Sequence, residues 1–159
     1  AGAEEVDNQD EALVPLDYDT SGLIRDDTLH DILVKKLPQD CNLFCIIDAC
    51  HSGTALDLPY IYRTDTGLKT QVSKEPEANI VKISGCRDSQ TSADAYIKGT
   101  FNGAMTWALV EVLSTCDKNT TWNQCLISLR EKLRNGGYPQ LPQLTSGTKL
   151  DFKEKCVNI

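Results

Sequence analysis

The sequence predicts an α/β sandwich built on a parallel or mixed sheet, and three observations carry that prediction. Residues 42–48, Asn-Leu-Phe-Cys-Ile-Ile-Asp, are a continuous apolar run of strand length without alternation, as a strand covered on both faces requires. Residues 103–114 and 121–134 each carry an apolar stripe at helical spacing. Strand-like and helix-like segments alternate along the chain, the pattern of a layered α/β domain.

Taken in order, residues 12–18 form a short apolar run interrupted by Pro15, which reads as a strand end or edge strand before a turn at 19–22. A helix follows. Asp26 or Asp27 can cap it, Leu29, Ile32 and Leu33 lie at i, i+3 and i+4, and Pro38 ends it. Beyond the 42–48 strand, residues 63–79 are Thr, Asp, Gly, Lys, Gln, Ser, Glu and Pro with almost nothing to bury, so an exposed, mobile loop is expected. Residues 80–84 resume strand character. The next helix buries Met105, Ala108, Leu109, Val112 and Leu113; the last buries Trp122, Cys125, Leu126, Leu129 and Leu133 until Gly136-Gly137 stops it. Residues 140–151 read as loop followed by a possible last short strand.

A length of 159 residues is a prior for one domain that can bury a core without disulfide or metal staples. Hydrophobic residues at 40% and charged residues at 25% exclude disorder and low-complexity architecture. With 16 Lys+Arg against 23 Asp+Glu the net charge is −7, which argues against nucleic acid or an anionic membrane as partner and favours cationic substrates or metal cations. Seven cysteines leave at least one thiol unpaired, and the apolar surroundings of Cys45, Cys86 and Cys125 read as reduced core positions. A reducing compartment is expected, the cytoplasm or also the nucleus. No signal-peptide core, apolar stretch of about 18 residues or lipidation motif argues for a membrane. In that setting the Asn119-Thr-Thr sequon is chance. The chain opens on Ala1 in an acidic string without Met, which points to a fragment or processed product.

The informative segment is Ile47-Asp-Ala-Cys-His-Ser-Gly53, where a buried strand ends abruptly at an acid, a cysteine and a turn-prone pair. That places Asp48 and Cys50 at the carboxyl edge of the sheet, where open α/β sheets carry their sites. Two positions apart on extended backbone, Asp48 and Cys50 point to one side and His51 to the other. His51 is therefore badly placed to activate a Cys50 thiolate. An isolated Cys-His pair would otherwise read as a half-buried thiol beside a surface imidazole.

The blocks Asp48-Ala-Cys-His-Ser-Gly53, Asp57-Leu-Pro-Tyr60, Ile83-Ser-Gly-Cys86, Asp88-Ser-Gln-Thr-Ser-Ala-Asp94 and Pro139-Gln-Leu-Pro-Gln-Leu144 resemble the metacaspases, caspase-related cysteine peptidases. The order of the parts resembles type I members, with a large-subunit-like part at 1–62, a processing loop at 63–79 and a small-subunit-like part at 80–159. The resemblance implies a caspase-like three-layer α/β/α sandwich around a mostly parallel sheet, incomplete at its N-terminus. It implies a monomeric endopeptidase that uses Cys50 as nucleophile on protein or peptide substrates with Arg or Lys at the cleavage site. Asp48 would form the floor of the specificity pocket, where a carboxylate pairs with a basic side chain. Asp94 would assist it, though a helix cap or turn residue is an equal reading.

Members of this type are often calcium-activated, and the matching carboxylates are Asp10, Asp26, Asp27 and Asp57, a hard-oxygen set. Asp26 and Asp27 also sit where a helix cap belongs, and Asp10 lies in a solvated acidic run. Zinc is not expected, because no Cys-x-x-Cys or paired-His spacing occurs. Family members are commonly cut after a basic residue in the connection, for which Arg63, Lys69 and Lys74 qualify. One block is missing: the catalytic histidine of caspase-like chains lies about 50 residues before the cysteine, which falls just ahead of Ala1. His30 reads as a helix-surface residue. The expectation is thus either the C-terminal portion of a type I metacaspase, whose N-terminal segment carries the histidine, or a natural histidine-less homologue acting as a binding or regulatory module.

Overall fold

The computed structural model describes residues 12–49, 52–63, 67–70, 74–85, 94–97, 100–151 and 155. The chain enters through β1 (Ala12–Leu13), the short helix α1 (Tyr18–Ser21) and β2 (Ile24–Arg25), which pairs antiparallel with β1. Next come α2 (Asp26–Leu33), β3 (Asn42–Ile47), β4 (Tyr60–Arg63), β5 (Gly67–Thr70) and β6 (Asn79–Ser84). The hairpin β7 (Asp94–Ile97) and β8 (Thr100–Gly103) leads into α3 (Ala104–Leu113), α4 (Trp122–Asn135) and β9 (Gln143–Ser146).

The main sheet runs β3-β6-β9-β4-β5. β3 and β6 are parallel, with Asn42 beside Asn79 and Ile47 beside Ser84, while β6–β9, β9–β4 and β4–β5 are antiparallel. Among the described strands the sheet is therefore mixed, not mostly parallel. Parallel pairing needs a long crossover, which residues 48–78 supply between β3 and β6; β4 and β5 are joined too briefly for anything but a hairpin. That hairpin also corrects the reading of 63–79 as loop throughout. An edge strand with little to bury, such as Gly-Leu-Lys-Thr, gives almost no periodic signal.

Helices and loops cover both faces. On one, Phe44, Val81, Ile83 and Leu144 pack against α3 and α4. On the other, Leu43, Cys45, Ile47 and Ile80 meet Leu29, Val34, Leu56 and Leu58. The unbroken apolar run of β3 follows from this double cover, since alternate residues serve opposite layers.

The two later helices bury the stripes that their spacing predicts. In α4 the buried set is Trp122, Cys125, Leu126, Leu129, Arg130 and Leu133, and Thr121 with Gln124 forms a capping box at its start. Leu129→Ala is expected to destabilise the fold by about 2–5 kcal/mol, against less than about 1 kcal/mol for the exposed Ile127→Ala. Chemical denaturation measures both, and equal losses would contradict this packing.

Three local expectations change. Neither Asp26 nor Asp27 caps α2: its N-cap is Arg25, without a side-chain cap bond, and the helix ends at Leu33, well before Pro38. The late strand lies at 143–146 rather than at the end of 140–151. The β7–β8 hairpin, finally, had no counterpart in the sequence pattern. Among the described residues no helix is long and apolar enough to cross a membrane.

Candidate active site

β3 and its parallel neighbour β6 end together, and the Gly85 N–H donates to the Ile47 carbonyl at 2.8 Å just past both strand ends. At this carboxyl edge Asp48 leaves the sheet. Its Oδ2 accepts from the Thr106 backbone N–H and from Thr106 Oγ1, both at 2.8 Å. Those donors lie in the first turn of α3, whose N-cap is Gly103 and therefore has no side chain to offer. Asp48 caps the helix from another element, where the unpaired N–H groups and the helix dipole favour an anion. A Cβ on Gly103 would overlap Asp48 Oδ2, so glycine is required here by close approach.

Cys50 and His51 lie outside the described residues, but the chain on both sides is tied down. Ser52, buried, donates through Oγ to the Ala49 carbonyl at 2.8 Å. Ala49 and Ser52 also line a cavity of about 550 Å³ with Leu13, Ile24, Asp26 and Ile47. Asp94 pairs in register with Gly103, the glycine that abuts Asp48, so the backbone brings both acids proposed for substrate to one corner of the fold. Asp94 is a strand residue, neither a cap nor a turn.

The described parts of the 83–86 and 139–144 blocks meet at the same edge. Gln140, buried, donates Nε2 to the Gly85 carbonyl at 3.2 Å, and Arg130 of α4 donates Nε and Nη2 to the Pro142 carbonyl at 3.0 and 2.7 Å. The segment 139–144 is thereby clamped between α4 and the end of β6.

The acids linked to calcium divide. Asp10 lies outside the described residues, and Asp27 is exposed. Asp26 is buried and Asp57 half-buried; burial raises both carboxyl groups from their ordinary value, Asp26 and Asp27 raise Asp57 further, and the Leu56 N–H pulls Asp26 back, as Lys82 and His30 do both acids. Two oxygen-bearing groups that resist ionising side by side suit a hard divalent cation in chemistry and charge. Among the described residues, however, no three His, Cys, Asp or Glu side chains are gathered into a ligand set. Any calcium shell would need Asp10, backbone oxygens or water beside Asp26 and Asp57.

His30 is half-buried rather than a surface residue, its Nδ1 donating to the Leu56 carbonyl at 2.7 Å. Arg63 closes β4, Lys69 pairs with Ile61 in the β4–β5 hairpin, and Lys74 is exposed beyond it. Cys41, Cys45, Cys116 and Cys125 are thiols outside any disulfide. Burial pushes the Cys45 and Cys116 thiols up, which keeps them protonated and unreactive. Cys86 lies outside the described residues.

Sequence reasoning missed Thr106, Gly103, Arg130 and Lys82 as members of the site, and it placed Gln140 only within the 139–144 block.

A caspase-domain family model matches residues 2–152 of this chain. The chain belongs to the caspase-domain family. Its relatives in the family include metacaspase-1 of Yarrowia lipolytica, 37% identical over 97% of this chain and 43% of the relative. Metacaspase-1 of Arabidopsis thaliana is 40% identical over 84% of this chain and 40% of the relative. That of Mycosarcoma maydis is 34% identical over 94% and 48%. The chain thus spans less than half the length of these metacaspases. The matched span includes residues 47–53, the end of β6 and the 139–144 clamp.

Proposed function

We propose that the complete protein is a cysteine endopeptidase that cleaves after Arg or Lys, with Cys50 as nucleophile and Asp48, assisted by Asp94, receiving the basic side chain. The observation that carries this reading is the strand end itself: in a caspase-domain chain, a carboxylate anchored at the mouth of the sheet stands two residues before a cysteine. The net charge of −7 favours the approach of basic peptides.

The general base comes from a segment outside this chain. Among the described strands β3 has a partner on one edge only, and Ile46 is 46% exposed there. Leu13, Val14 and Ile24, also exposed, line a cavity with Ile47 at the end of β3. An open edge strand beside uncovered apolar side chains is a place for further chain to pair, and the proposed occupant is the N-terminal segment bearing the catalytic histidine. The complete protein acts as a monomer in the cytoplasm or nucleus, and processes itself after Arg63, Lys69 or Lys74.

Calcium is the proposed activator, held by oxygens of Asp26 and Asp57 with Asp10, backbone oxygens or water, and with exposed Asp27 adding negative charge. A bound cation would offset the repulsion that Asp26 exerts on Asp57 and stabilise the neighbouring 52–57 backbone. The complete protein is therefore expected to hydrolyse arginyl and lysyl peptides in preference to aspartyl ones by at least about 10²-fold. Calcium should raise both the rate and the thermal midpoint, and Asp57→Asn should lose both responses. Equal rates on basic and acidic peptides would overturn the specificity. A wild type whose rate and midpoint ignore calcium would remove the metal.

A further inference from the structure

Lys82 stands in the middle of β6 with its side chain fully buried, on the face that carries Ile80. A central strand position of this kind is normally apolar, because an ammonium withdrawn from water is strongly disfavoured unless its donors are matched. Here they are matched. Nζ donates to the carbonyls of Ser52 at 3.1 Å, Gly53 at 2.9 Å and Ala55. An ammonium has three protons, and three backbone carbonyls receive them.

The same segment is held from α2. Asp26 Oδ1 accepts the Leu56 N–H at 2.7 Å, and His30 donates to the Leu56 carbonyl at 2.7 Å. The Ala55–Leu56 peptide unit is therefore gripped at its carbonyl by Lys82 and at its N–H by Asp26. Leu56 and Asp57 follow with φ of 72° and 45°, left-handed values that non-glycine residues adopt only when their surroundings enforce them. In a trans peptide the N–H points opposite to the carbonyl. Drawing the Ser52 and Gly53 carbonyls onto Lys82 thus turns the Gly53 and Thr54 N–H groups away from the core.

We propose that Lys82 is a positioning residue for the nucleophile: its ammonium fixes the 52–55 backbone, which begins two residues after Cys50, and through that backbone supports Cys50 in catalysis. The proposal rests on the peptidase reading above, and it assigns Lys82 a contribution to kcat rather than to substrate binding. Cys50 needs such support because the chain beyond it has no regular secondary structure from 52 to 59 to fix its direction.

The test compares the complete protein with Lys82→Met, which keeps volume and removes charge and donors, and with Lys82→Gln, which keeps two N–H donors. Both variants are expected to unfold cooperatively on heating. In Lys82→Met, amide hydrogen exchange across 53–57 should accelerate, and kcat on an arginyl peptide should fall about 10²-fold, as loss of reacting geometry does, with KM within about twofold. Lys82→Gln should recover part of kcat. A folded Lys82→Met protein with wild-type kcat overturns the proposal, as does one whose loss appears in KM. If neither variant folds, Lys82 serves stability and the positioning role falls. A wild type that leaves basic peptides uncut is instead the failure of the peptidase reading, and exchange at 53–57 still reports separately whether Lys82 holds the loop.

Discussion

Replacing Cys50 by alanine in the complete protein is expected to lower hydrolysis of an arginyl peptide by on the order of 10⁴-fold or more, and to abolish covalent labelling by an arginyl electrophile. The size of the effect follows from the chemistry. A thiolate that attacks the scissile carbonyl and carries the acyl group has no substitute in a methyl side chain, and what survives is only the contribution of binding and orientation. The other thiols supply the internal control. Cys45 and Cys116 stay in the protonated form through burial, so labelling should leave them untouched while Cys50 reacts. Peptide mapping by mass spectrometry reads this directly. The same variant should remain uncut, whereas wild-type protein is expected to be cleaved after Arg63, Lys69 or Lys74. Labelling undiminished by Cys50→Ala would overturn the nucleophile assignment.

What the residues disclosed in advance is what periodicity and local chemistry encode. The stripes of α3 and α4 and the unbroken apolar run of β3 are intrinsic to those segments, so they read correctly from spacing alone. The strand end at Asp48 was legible for the same reason, as an apolar run stopped by an acid and a Ser-Gly pair. The β4–β5 and β7–β8 hairpins were not, because four-residue strands of mixed polarity are defined by their partners and not by their own pattern. Lys82 is the sharpest case. Along β6 it alternates with Val81 and Ile83, so a strand read in isolation would turn it toward water. In the fold it lies in the interior, because the carbonyls of a loop thirty positions away in sequence supply what water would have given. Asp26 misled in the opposite direction: its place before a helical stripe suggests a cap, whereas its carboxylate reaches the Leu56 N–H across the fold. Long-range polar contacts of this kind leave no periodic trace.

Asp48→Asn separates the helix cap that Asp48 forms from the substrate role proposed for the same side chain. The amide keeps an oxygen for the Thr106 N–H and Oγ1, so α3 retains its cap and the thermal midpoint should move little. The negative charge is lost, and with it the attraction to a guanidinium or ammonium, so kcat/KM on an arginyl peptide should fall by about 10²–10³-fold, the usual consequence of removing one partner of a desolvated charge pair. Hydrolysis of a peptide with a neutral residue at the cleavage site should change far less, which distinguishes lost recognition from general damage. Asp48→Ala removes both functions: the same loss of preference should then be accompanied by about 1 kcal/mol of destabilisation from the uncapped helix. Thr106→Val provides the converse, a lowered midpoint with the preference for basic residues retained. The capping role would hold the proposed specificity carboxylate rigid at the mouth of the sheet. A carboxylate offers about four acceptor sites, and Thr106 takes two on Oδ2, which fixes the direction in which the group faces an incoming cation. If Asp48→Asn leaves the ratio of arginyl to neutral hydrolysis unchanged, Asp48 is a helix cap and the basic side chain is received elsewhere.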